Sequence, residues 1–75
     1  MAAPTFSLVV DGDVTRTFEA EFEGRTLVVQ EDVLALSRMP WSYGVVDRQG
    51  YLLADGRALS QEHAEQRAVE RASWL

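Results

Sequence analysis

Glu19, Glu21 and Glu23 recur at every second position. On an extended strand that spacing would put three carboxylates on one face, about 6.8 Å apart. A row of negative charges at this interval resembles the phosphates of a nucleic-acid backbone, so the chemistry it offers is occupation of a basic surface. Asp11, Asp13, Glu31 and Asp32 flank the row and would widen it into a patch. The same pattern also suits an antiparallel sheet with one wet face, where acids discourage edge-to-edge aggregation.

The charge is local. Between Asp11 and Asp32 the chain carries seven acids against Arg16 and Arg25, which accounts for the whole net charge of -5. The other five acids are balanced by five arginines. A localised acidic surface meets basic proteins and repels DNA, RNA and anionic lipid, so direct nucleic-acid or membrane binding is excluded as an expectation.

Trp41, Tyr43, Tyr51 and Trp74 form a second group of interest. Trp41 follows Met39-Pro40 and is the aromatic expected to lie exposed, in a loop where it needs cover from the fold or from a partner. Trp41 and Tyr43 therefore join Glu19, Glu21, Glu23, Asp11 and Asp13 as candidate partner-binding residues.

The inventory for catalysis is thin. His63 is the single histidine and there is no cysteine, so neither a thiolate or histidine-rich metal site nor a Cys-His pair can assemble. No serine is framed by the glycines of a nucleophile elbow. Asp11-Gly12-Asp13 has the acid spacing that opens a calcium loop but lacks the later ligands, and it reads as a tight turn. The glycines at 44, 50 and 56 are too dispersed for a phosphate loop, and there is no lysine. The chain is expected to be no enzyme and to use no cofactor or metal.

The elements that would position these residues follow from turn signals. Phe6, Leu8 and Val10 alternate with Thr5, Ser7 and Val9. After Asp11-Gly12-Asp13 the alternation resumes through Phe18, Ala20 and Phe22, which predicts a hairpin with a three-residue loop. A tight turn at Glu23-Gly24 would pair Arg16 with Glu31, Phe18 with Val29, Ala20 with Leu27 and Phe22 with Arg25, joining apolar to apolar and opposite charges to each other. Residues 31 to 38 suit either a strand extension or a short helix, and the acids at the start and Arg38 at the end favour the helix.

A second hairpin is predicted over residues 43 to 54, with a turn at Asp47 to Gly50 that sets Val46 against Tyr51 and Val45 against Leu52. Apolar on both faces, these strands would be central or carry an interface. Asp55-Gly56-Arg57 reads as a strand break. Ser60 reads as the N-cap of a helix running to the chain end, with Ala64, Ala68 and Ala72 as a close-packing stripe and Trp74 covering the helix end.

Together these elements predict one α+β domain over residues 1 to 75: an antiparallel sheet of about five strands, as two hairpins or a meander, packed by a C-terminal helix. Seventy-five residues bury a thin core with no disulfide to support it, which leaves monomer and homodimer equally open. The N-terminus lacks the basic residues of a signal peptide, so the cytoplasm is the expected compartment. The absence of Lys, Ile and Asn, whose codons are AT-rich, points to a GC-rich bacterium or its phages or plasmids. The function expected is that of a small acidic protein-binding module, in its sharpest form a phage or mobile-element inhibitor that occupies the nucleic-acid-binding surface of a partner. The alternative is a self-associating structural or accessory protein.

Overall fold

The computed structural model describes residues 4–33 and 38–75. Five strands, β1 (Ser7–Asp11), β2 (Thr15–Phe22), β3 (Arg25–Asp32), β4 (Trp41–Val46) and β5 (Leu52–Ala58), follow chain order across one antiparallel sheet. One helix, α1 (Gln61–Trp74), packs against β3, β4 and β5. The α+β meander is the architecture that the alternation and turn signals predict.

The β2–β3 hairpin has the predicted register, with Arg16 opposite Glu31, Phe18 opposite Val29, Ala20 opposite Leu27 and Phe22 opposite Arg25. Its turn residues Glu23 (φ 52°) and Gly24 (φ 79°) are both left-handed, the geometry whose twist matches that of the paired strands. Arg16 Nε donates to Glu31 Oε1 at 2.8 Å, so the predicted ion pair is formed.

Helix α1 starts where the sequence signals it. Ser60 is extended and its Oγ accepts from the His63 backbone N–H at 3.2 Å, satisfying one of the donors that a helix start leaves without an internal partner. Ala64, Ala68 and Ala72 are buried against the sheet. Ala68 and Ala72 sit over Leu27, Val45 and Ala54, while Ala64 sits over Val29, Trp41 and Ala58. Phe6 and Tyr43 lie against both groups. At the far end, Arg25 Nη1 donates to the Ala72 carbonyl at 3.2 Å and ties β3 to the last turn of the helix.

Several expectations are corrected. In the first hairpin, a bulge between Leu8 and Val10 keeps Leu8 opposite Phe18 on the helix side but turns Val10 to face Thr17 on the other. The loop comprises Gly12 to Val14, one residue later than expected, and is closed by Gly12 N donating to Thr15 O at 2.9 Å. In the second hairpin, Gly50 (φ 89°) adds a left-handed residue to the turn, so Asp47 N donates to Tyr51 O and Val46 pairs with Leu52. A second bulge at Leu53 then moves Val45 opposite Ala54. In the strand order β5 is last and so an edge strand, although β4 is internal as expected.

Asp55-Gly56-Arg57 does not break β5, because Gly56 is required by a contact and not by a turn. It lies opposite Tyr43, whose Oη would stand 2.3 Å from a Cβ at that position. The two tryptophans exchange their expected roles. Trp41 opens β4 opposite Glu31 and is 8% exposed, its ring tilted against Phe18 at a centroid distance of 6.1 Å. Trp74 is 81% exposed on the last turn of α1. Of the helix expected near residues 32 to 38, Asp32 is strand and Val33 a turn; residues 34–37 lie outside the described residues.

Candidate protein-binding face

Because side chains alternate along a strand, a helix on one side of the sheet leaves the other side bare. The bare face is organised in cross-strand rows. Thr17, Gln30, Ser42 and Arg57 form one, with Gln30 Nε2 donating to Thr17 Oγ1 at 3.2 Å. Glu19, Val28, Gly44 and Asp55 form the next. Glu21, Thr26, Val46 and Leu52 form the third, with Thr26 Oγ1 donating to Glu21 Oε1 at 3.0 Å.

A groove of about 570 Å³ runs over β3, β4 and β5 on this face. Val28, Gly44 and Val46 make an apolar floor, and Gln30, Ser42, Asp55 and Arg57 bring polar groups to its margin. The concavity has a local cause, since Gly44 sits in the middle row without a side chain to fill it. On β2, Glu19 and Glu21 are both exposed beyond the groove margin. Glu19 and Asp55 are exposed and make no side-chain hydrogen bond or ion pair among the described residues, so the middle row ends in a solvated carboxylate without a protein partner on either side of its apolar centre.

The seven candidate binding residues do not gather into one patch. Glu19 and Glu21 share the open face as the period-two spacing requires. Glu23 leaves the row: its left-handed φ of 52° places it in the turn after β2, the same end as Arg48, whose Nε donates to Gly24 O at 3.4 Å. Asp11 and Asp13 lie at the opposite end of the sheet, at the β1–β2 turn, where Asp11 stands across from Arg16. Trp41 is buried against Phe18 on the helix side, and Tyr43 on that side is half-buried over Gly56, so neither ring forms the exposed aromatic loop that Met39-Pro40 suggested.

Residues that sequence reasoning missed are Val28, Gly44, Val46, Leu52 and Asp55. Val28 was hidden in an apolar run, Leu-Val-Val, in which periodicity does not separate the two faces. Leu52 and Asp55 were assigned to the wrong register and to a break.

Among the described residues no group of three or more His, Asp or Glu side chains is placed to hold a metal ion, and no polar side chain is buried. No described helix is long and apolar enough to cross a membrane. Compared with protein-family models, curated proteins and solved structures, the chain matches none.

Proposed function

We propose that this chain is a non-catalytic protein-binding module, and that the open face of its sheet occupies a basic, nucleic-acid-binding surface of a partner protein as an inhibitor. The observation that carries this reading is the middle row of that face, an apolar centre at Val28 and Gly44 with unpaired carboxylates at Glu19 and Asp55. An arginine side chain suits such a surface, because its stem covers apolar area while its guanidinium reaches a carboxylate. Glu21 extends the acidic margin along β2.

The test uses an arginine-rich peptide as probe and amide chemical shifts as readout. Shifts are expected to concentrate at Glu19, Glu21, Val28, Gly44 and Val46, and binding is expected to weaken as salt rises. The double reversal Glu19→Arg, Glu21→Arg removes that response while leaving the fold intact, because both side chains are solvent-facing. Reversal of Glu62 and Glu65 on α1 leaves it unchanged. A response centred on α1, or one indifferent to the β2 reversal, rejects the acidic face as the recognition surface.

A second reading, self-association, is favoured by a separate observation. Among the described residues, strand β5 is an unpaired edge with Tyr51, Leu52, Leu53 and Leu59 exposed on or beside it.

A further inference from the structure

The two edges of the sheet differ in how they could accept another strand. On β1 the bulge between Leu8 and Val10 interrupts its five residues near the middle. On β5 the irregularity lies at the start, between Val45 and Val46 of the β4 pairing, and Ala54 to Ala58 run on without interruption. No proline or lysine blunts this edge, and both are common guards on exposed strands. Among the described strands, β5 pairs with β4 alone and ends the sheet, and its main contacts are with β4 and α1.

We infer that β5 pairs antiparallel with β5 of a second copy of this chain, about a two-fold axis at Gly56, to form a continuous ten-stranded sheet. The inference rests on the self-association reading and adds the edge, the partner and the register. In an antiparallel pair, opposed residues point to the same face, so a two-fold axis perpendicular to the sheet must lie midway between the two copies of a single residue, which then faces itself.

Four centres in the regular stretch can then be compared by charge. An axis at Asp55 opposes two aspartates and an axis at Arg57 opposes two arginines, both unfavourable. An axis at Ala54 leaves each charge against an apolar residue. An axis at Gly56 sets Asp55 opposite the partner's Arg57 and Arg57 opposite the partner's Asp55. Both side chains are exposed and make no hydrogen bond or ion pair among the described residues, so they are available for that exchange.

The same axis opposes Ala54 to the partner's Ala58 and brings Leu53 toward the partner's Leu59, placing exposed leucines of both copies together at the two ends of the junction. The charged register is thus also one that covers apolar surface, and a Gly56–Gly56 crossing at the centre keeps side chains out of the closest approach.

The test is sedimentation equilibrium of the full chain over a wide concentration range, with circular dichroism as a check on folding. The parent is expected to be a reversible dimer. Asp55→Arg alone and Arg57→Asp alone each create two like-charge pairs across the junction and should weaken dimerisation by about tenfold or more. Mixing these two variants sets arginines of one chain against aspartates of the other and should restore association as a heterodimer. The exchanged variant Asp55→Arg, Arg57→Asp should dimerise by itself.

The failures are distinguishable. A parent that remains monomeric at millimolar concentration overturns both the inference and the self-association reading. A parent dimer that both single variants retain, or that their mixture does not restore, overturns the Gly56-centred register while self-association through another surface stands.

Discussion

On the helix side of the sheet, Leu27, Val29 and Val45 are sealed under three alanines, whereas at neighbouring positions of the same strands Val28 and Val46 are only half-buried, and Gly44 between them is covered by the exposed Leu52 side chain and not by a helix. Both sets come from β3 and β4, and both are small or branched apolar residues. The difference is made by α1, whose alanine stripe fits one face only, together with Phe6 and the aromatic rings that pack on that same face. An apolar run such as Leu27-Val28-Val29 normally marks a strand buried on both sides, so the bare side carries apolar residues that this chain by itself does not use. The acids at its margin fit the same account, because a binding face has to remain soluble before its partner arrives.

The contrast is most severely challenged by truncating one residue on each side. Leu27→Ala should destabilise by about 2–5 kcal/mol, since it opens a cavity beneath Ala68 and Ala72. Leu52→Ala, on the open face and exposed, should stay within about 0.5 kcal/mol. Urea denaturation of both variants supplies the comparison. Similar losses would mean that the open face is covered in solution, which the self-association reading would explain if the Leu52 loss grew with protein concentration.

A second pair of substitutions adds bulk instead of removing it. Ala68→Leu forces methylenes between α1 and the sheet, where Ala68 is fully buried, and should cost about 1–3 kcal/mol in thermal or urea unfolding. Unchanged stability would show that the helix can lift without loss and that its close approach is not required by packing.

Two glycines on neighbouring strands sharpen the same point at atomic scale. A Cβ on Gly56 would meet Tyr43 Oη at 2.3 Å and Cζ at 2.5 Å, so the ring must swing away from the core it covers. A Cβ on Gly44 would meet only Leu52 Cδ1 at 3.1 Å and the Ala54 carbonyl at 3.7 Å, and the leucine can turn toward solvent. Gly56→Ala should therefore cost about 1–3 kcal/mol. Gly44→Ala should be neutral, or stabilising by up to about 1 kcal/mol through reduced unfolded-state entropy. It should at the same time shallow the groove and weaken the arginine-rich peptide. Stability and binding would then move in opposite directions at position 44, which is the signature of a face shaped for a partner.

How much of this was legible in the sequence depends on the range of the controlling contact. The β2–β3 register was readable because Phe18 with Val29, Ala20 with Leu27 and Arg16 with Glu31 are complementary on one face and the Glu23-Gly24 turn admits few alternatives. The helix was readable from Ser60 and the alanine spacing. The β4–β5 register was not, because two local irregularities, a left-handed Gly50 and a bulge at Leu53, each shift the pairing and leave no trace in apolar alternation. Gly56 resembled a strand breaker because its reason lies on β4, in the ring of Tyr43. Trp41 resembled a loop residue beside Pro40 because its cover, Phe18, is two strands away in space and more than twenty positions away in sequence. Of the candidate site, Glu19 and Glu21 were found from spacing alone. The groove beside them was not, since it requires knowing which of two adjacent valines faces the helix.

A further small effect concerns the Arg16–Glu31 pair, on the helix side of the sheet in the row that also holds Trp41. Its side chains retain 45% and 21% of their exposure, so water screens the attraction and its contribution should lie at about 0–1 kcal/mol. A double-mutant cycle with Arg16→Met and Glu31→Gln measures the coupling apart from each side chain's own packing. Asp11 stands opposite Arg16 as well, so removal of Glu31 leaves the guanidinium a second acid within its row, and the single Glu31 variant should lose less than the Arg16 variant. Raising the salt concentration should shrink the coupling toward zero while leaving the Leu27→Ala loss unchanged. A coupling that instead exceeded the alanine-stripe effect and resisted salt would place Arg16 and Glu31 in a dry setting, and the covered side of the sheet would then extend past the helix to the end where Trp41 enters the core.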